Sequence, residues 1–88
     1  MNKYIVEFLG TMLLVTVIIA TGNYLAVGAT LALIVFLGAP ISGASYNPAV
    51  TFALYNSGQL QKEDIIPYTV VQILGALAAY EVYKRFIK

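Results

Sequence analysis

Apolar and polar positions along this chain fall into blocks rather than alternating. After a short polar start at Met1-Asn2-Lys3, one apolar run extends from Tyr4 to Thr21, a second from Tyr24 to Ile41 and a third from Ile65 to Tyr83. At about 1.5 Å of helix per residue, each is long enough to cross a hydrocarbon layer about 30 Å thick. Thr21-Gly22-Asn23 reads as a tight turn, so the first two helices are predicted to be antiparallel neighbours. Pro40 is expected to weaken the end of the second helix. Ser57 to Asp64 is the one clearly aqueous loop, and Asp64 is placed to cap the last helix, with Pro67 in its first turn.

The stretch Ser42–Thr51 breaks this pattern. It carries no charge, yet it is not a continuous apolar run. Asn47 suits a helix N-cap and Pro48 the first helical position, so a helix is predicted over Pro48–Asn56. It would be about 13 Å long, roughly half the apolar thickness. Such a helix is tolerated at membrane depth only where protein or a water-filled cavity satisfies its end. Its N-terminus carries partial positive charge and unpaired N–H groups. The predicted fold is therefore an all-α membrane protein over residues 1–88, ordered span, span, half-helix, span. No internal repeat or soluble domain is visible.

Composition supports this class. The chain of 88 residues is 60% hydrophobic and 10% charged, too few polar groups to cover a small soluble domain. A net charge of +1 gives no reason to expect a nucleic-acid partner. The absence of Cys and His excludes disulfides, thiol chemistry and the usual transition-metal sites, and no nucleophile–base pair suggests an enzyme; no cofactor or metal is expected. A signal-peptide reading, with Lys3 as n-region, Phe8–Ile19 as h-region and cleavage near Ala20, is opposed by Glu7. An acid within an apolar run needs a partner or a role, unless it snorkels to the headgroups. Gly28, Ala32, Gly38 and Ala39 are read as sites of close helix approach, as are Gly75 and Ala79. Tyr68, Tyr80 and Tyr83 are read as interfacial aromatics.

Ile41-Ser42-Gly43-Ala44 followed by Asn47-Pro48-Ala49-Val50-Thr51 resembles the first pore loop of the aquaporin and glycerol-channel family, the major intrinsic proteins. Glu7-Phe8-Leu9-Gly10-Thr11 resembles the family's first-helix motif, and Gln72-x-x-Gly75-Ala76 its third helix. The likeness covers nearly the whole chain, but one half of the family's usual sequence. It implies that Asn47, Pro48 and Ala49 form a pore motif and that backbone carbonyls of Ser42, Gly43, Ala44 and Ser45 line a channel. Glu7 and Gln72 would brace the loop from behind. By ungapped counting, Val27, Val35, Ala44 and Val50 occupy filter positions. The family's second copy of the motif is followed by Arg; here Val50 stands in that place, which implies a wider, more apolar constriction.

One half cannot enclose a pore, and the end of its half-helix would face lipid. The expectation is that a second copy, inserted upside down, completes it, with a cluster of four pores as a possible higher assembly. With a cytoplasmic N-terminus, Lys3 and Lys62 lie inside and Lys84, Arg85 and Lys88 outside, almost no bias towards one orientation. The competing expectations are a half-channel or accessory subunit needing another partner, and a small dual-topology transporter. The solute implied is water, glycerol or another small neutral molecule.

Overall fold

Three asparagines start three helices for one physical reason. In the computed structural model, which describes residues 1–88, Asn2, Asn23 and Asn47 each hold extended backbone, and each side-chain oxygen accepts two of the amides that the helix leaves unpaired. The helices that follow are α1 (Lys3–Thr21), α2 (Tyr24–Ser42) and α3 (Pro48–Asn56). Gly22 ends α1 and Gly43 ends α2, both in the left-handed region that glycine enters without steric cost. A short 3-10 turn over Lys62–Asp64 leads into α4 (Ile65–Val82), whose final turn widens into a π-helix over Tyr83–Ile87. There is no strand. Three of the helices are long and apolar enough to cross a membrane.

Two predicted helix ends differ from the structure. α2 continues through Pro40 to Ser42, one residue beyond the predicted Ile41. In the last turn Pro40 removes only one ladder hydrogen bond, and Gly43 supplies the stop. Asp64 does not cap α4 with its side chain. The helical backbone already runs from Lys62, and the amide of Ile65 bonds to the Lys62 carbonyl. The Asp64 carboxylate is instead drawn to the start of α1, accepting hydrogen bonds from Lys3 Nζ and the Tyr4 hydroxyl, each at 2.7 Å.

α1 is the central helix, lying against both α2 and α4, while α3 rests on α4. Small residues set the closest approach. At Gly75 an added Cβ would stand 2.6 Å from the Phe8 carbonyl oxygen of α1, and Ala79 one turn on is fully buried. The expectation for α2 needs correcting. Gly28, Ala32 and Ala39 are exposed, and only Gly38 is buried, because α2 packs on α1 and its other faces have no neighbour in the chain. Tyr68 is also not an interfacial aromatic: it is buried, edge-on to Tyr4 with ring centroids 5.8 Å apart.

The interior is richer in polar than in apolar side chains. Val6, Ile34, Tyr46, Tyr68 and Ala79 are buried alongside Glu7, Thr11, Ser42, Ser45, Thr51, Asp64 and Gln72. Leu25, Phe36, Leu37, Ile66 and Leu77 face outward. Lipid is a good solvent for such faces, so association inside a bilayer relies on close packing and hydrogen bonds rather than on hiding apolar surface. This is an integral membrane protein.

Two glycines separate these effects. Gly75→Ala drives a methyl group into a backbone oxygen and is expected to cost about 1–3 kcal/mol. Gly28→Ala meets open space and is expected to gain about 0.5–1 kcal/mol from helix propensity. Unfolding midpoints in detergent check both signs.

Candidate functional site

Glu7 sits on the face of α1 turned towards the Ser42–Thr51 segment and is completely buried. No cation pairs with it. A carboxylate out of reach of water must find donors, and Glu7 finds four. Its Oε2 accepts from the Ser42 hydroxyl at 2.6 Å and the Ser45 amide at 3.1 Å. Its Oε1 accepts from the Tyr46 amide at 2.7 Å and from Gln72 Nε2 at 2.8 Å. One side chain thus joins α1, the end of α2, the connecting segment and α4.

Gln72 extends the network. Its Nε2 also lies 2.8 Å from Thr51 Oγ1 and 3.4 Å from Ser45 Oγ. Thr51 in turn bonds Ser45 Oγ and donates back to the Asn47 carbonyl at 2.9 Å. Behind α3, therefore, all three hydrogen-bond partners of the Gln72 amide nitrogen, on Glu7, Ser45 and Thr51, belong to buried residues.

These bonds dictate the backbone in front of them. Gly43, Ala44 and Tyr46 all hold left-handed conformations, with φ of 85°, 54° and 59°. For the two non-glycine residues this costs roughly 1–2 kcal/mol each. The amides of Ser45 and Tyr46 are committed to Glu7, and that of Ala44 bonds Ser42 Oγ at 3.2 Å. With the N–H groups drawn to this side, the carbonyls of Gly43, Ala44 and Ser45 accept no hydrogen bond within the chain. The flanking carbonyls are occupied: Ser42 accepts from the Tyr68 hydroxyl at 2.7 Å and Tyr46 from Thr11 Oγ1 at 3.2 Å. Three consecutive oxygens are left over, bracketed by two satisfied ones. Both serine side chains belong to the buried network, so Ser42 offers neither its hydroxyl nor its carbonyl to the open side.

Asn47 follows immediately and is exposed. Its Oδ1 accepts from the amides of Ala49 at 2.7 Å and Val50 at 3.3 Å. Held this way, the side chain has its Nδ2 hydrogens free. Pro48 is half-buried and Ala49 and Val50 are exposed on the first turn of α3. Val27 and Val35 stand on α2, the first half-buried and the second exposed, and Ala44 is half-buried in the connection. The four candidate filter residues thus come from three separate elements.

Sequence reasoning gave no role to Thr11, Thr51 or Tyr46, and it read Tyr68 as an interfacial aromatic. Thr11 could have been found, because it lies four residues after Glu7 and so shares its helix face. Tyr46 gives no local sign, since a bulky residue is not expected at positive φ. Tyr68 and Thr51 depend on contacts between elements distant in sequence.

A family model described as Major intrinsic protein matches residues 1–88. A glycerol uptake facilitator protein-like 6 from Lactiplantibacillus plantarum is 41% identical, with 99% of this chain aligned to 44% of that protein. Aquaglyceroporin AqpS from Rhizobium meliloti is 34% identical over 88% of this chain and 40% of its own length. Aquaporin Z from Brucella melitensis is 38% identical, covering 90% of this chain and 41% of its own length. The chain thus spans about two fifths of the length of these curated relatives. No solved structure gives a significant match.

The Glu7 network makes a direct prediction. An amide has one acceptor oxygen where the carboxylate has two, so Glu7→Gln leaves part of the donor set unpaired, at about 1–3 kcal/mol for each orphaned group. The unfolding midpoint should fall. Amide hydrogen exchange should speed up at Ser45 and Tyr46 more than within α1 or α4.

Proposed function

The chain belongs to the major intrinsic protein family, and on that premise we propose that it is one half of a passive membrane channel for water and small neutral solutes such as glycerol. The observation that carries this reading is the run of unpartnered carbonyls from Gly43 to Ser45, leading to the exposed amide of Asn47. Acceptors in a row replace part of the hydration shell of a passing solute. Asn47 Nδ2 then donates at the innermost point. Solutes move by diffusion, and no covalent step is involved.

One such half leaves the conduit open on a side, because irregular backbone at membrane depth must be covered by protein or water. An inverted second copy supplies the missing wall, with two α3 N-termini meeting at the centre of the bilayer. Their combined positive ends repel cations and hydrated protons, the device used by aquaporin-type pores. The near balance of basic residues at the two ends of the chain supports dual orientation. Val27, Val35, Ala44 and Val50 would form an apolar constriction at each mouth, without an arginine, and so admit glycerol as well as water. Four such pores, eight chains in all, would make the larger assembly.

A second reading is favoured by the two-fifths coverage of the relatives: the complementary half is a different sequence, and this chain serves as a fragment or accessory subunit.

Purified chain in liposomes separates the two. The homodimer reading expects stopped-flow volume changes faster than in protein-free vesicles under both water and glycerol gradients; no acceleration overturns it in favour of the second reading. Asn47→Asp places a negative charge at the centre and should raise cation leak. A tag on the C-terminus should be accessible from both faces of the cell membrane, and labelling from one face alone would refute the inverted pair.

A further inference from the structure

Tyr46 is the one large side chain of the segment between α2 and α3, and it is buried despite its left-handed backbone. Three features hold it. Its ring lies in a notch whose floor is Gly10 of α1 and Gly38 of α2: a Cβ at Gly10 would overlap the ring, and one at Gly38 would overlap the hydroxyl. The hydroxyl donates to the Ile34 carbonyl, one turn before Gly38, at 2.6 Å. The Tyr46 amide and carbonyl are fixed to Glu7 and Thr11, both on α1. The residue therefore measures a distance. Its phenol spans from the backbone beside Asn47 to a fixed carbonyl of α2, and the two glycines admit a ring only at that depth.

From this notch we infer that Tyr46 is a positioning residue that sets how far the Gly43–Asn47 segment stands off α2, and so fixes the aperture offered to solutes. The inference rests on the channel reading, because the aperture matters only if solutes pass. The hydroxyl is the specific device. Phenylalanine would fill the same notch but lose its stop against Ile34, letting Asn47 and the free carbonyls shift along the notch. Selectivity between solutes of different size then responds to an atom that no solute touches.

The two glycines give different tests, because they meet different parts of the tyrosine. The principal obstacle to Gly38→Ala is the hydroxyl; with that oxygen gone, the next nearest atoms are Tyr46 Cζ at 3.1 Å and Val6 Cγ1 at 3.2 Å, so that the ring and Val6 need to give by only tenths of an ångström rather than by the depth of an overlapping oxygen. The obstacle to Gly10→Ala is the ring itself, with Cδ1 and Cζ both at 2.7 Å, and removing the hydroxyl does not relieve it. Hydrogen exchange at the Ser45 and Tyr46 amides in detergent reads the lock without requiring transport. Gly38→Ala should accelerate exchange at least about tenfold. The Gly38→Ala/Tyr46→Phe pair should recover most of that protection, and Gly10→Ala/Tyr46→Phe should not. Equal behaviour of the two double variants overturns the lock. In proteoliposomes Tyr46→Phe should change the glycerol-to-water permeability ratio at least about twofold, a quantity that does not depend on how much folded protein each vesicle holds. An unchanged ratio overturns the role in selectivity. If the unsubstituted chain passes neither solute, the channel reading fails and the aperture role fails with it, while the exchange cycle still decides whether the hydroxyl locks the segment.

Discussion

A carboxylate placed beyond the reach of water constrains everything around it. Glu7 has no cation to neutralise it, so its two oxygens must be filled by hydrogen-bond donors, and the four it collects come from three parts of the chain outside α1. Two of those donors are backbone amides of consecutive residues. Turning both amides towards α1 forces the backbone into conformations that Ala44 and Tyr46 adopt only at a cost. The same rotation leaves the carbonyls on the other side without partners. The polarity of this segment is thus a by-product of solving the solvation of one acid. Its strain is offset by hydrogen bonds of the stronger, charge-assisted kind.

The lipid environment explains the rest of the architecture. In water, a unit with more buried polar than buried apolar side chains would have little to hold it together. In a bilayer, the outward leucines and phenylalanines are already well solvated. The competition is between polar contacts inside and unsatisfied polar groups outside. That is why the closest approach, at Gly75, lies near the Gln72–Glu7 contact, and why α2 is left with so much uncovered surface. The short α3 has its first-turn amides capped by Asn47, while the carbonyls of Gly43, Ala44 and Ser45 beside it find no partner within the chain.

One turn before Glu7 on α1, a second polar cluster closes the circle. Lys3 and Tyr4 reach Asp64 at the entrance to α4, and Tyr4 stands edge-on to Tyr68. Tyr68 then passes the contact to the Ser42 carbonyl, at the end of α2. The ion pair is half-exposed on the lysine side and contributes modestly. Its value is geometric: it fixes the register of α1 against α4, and that register decides whether Glu7 and Gln72 meet.

The sequence by itself determined the local features. Block hydropathy specified three spans, Asn47-Pro48 the start of a short helix, and Thr21-Gly22-Asn23 the turn between the first two, because each depends on backbone preferences within a few residues. Glu7 stood out because an acid in an apolar run is expensive wherever it ends up. The tertiary structure alone decided which groups satisfy that acid, why Asp64 serves α1 rather than capping α4, and why Tyr68 is inside. Those outcomes depend on contacts across tens of residues in sequence, where several partners of equal chemical suitability compete. The clearest case is Tyr46: nothing about a tyrosine in a loop announces a notch made by two glycines on two other helices, because the notch exists only once those helices have packed.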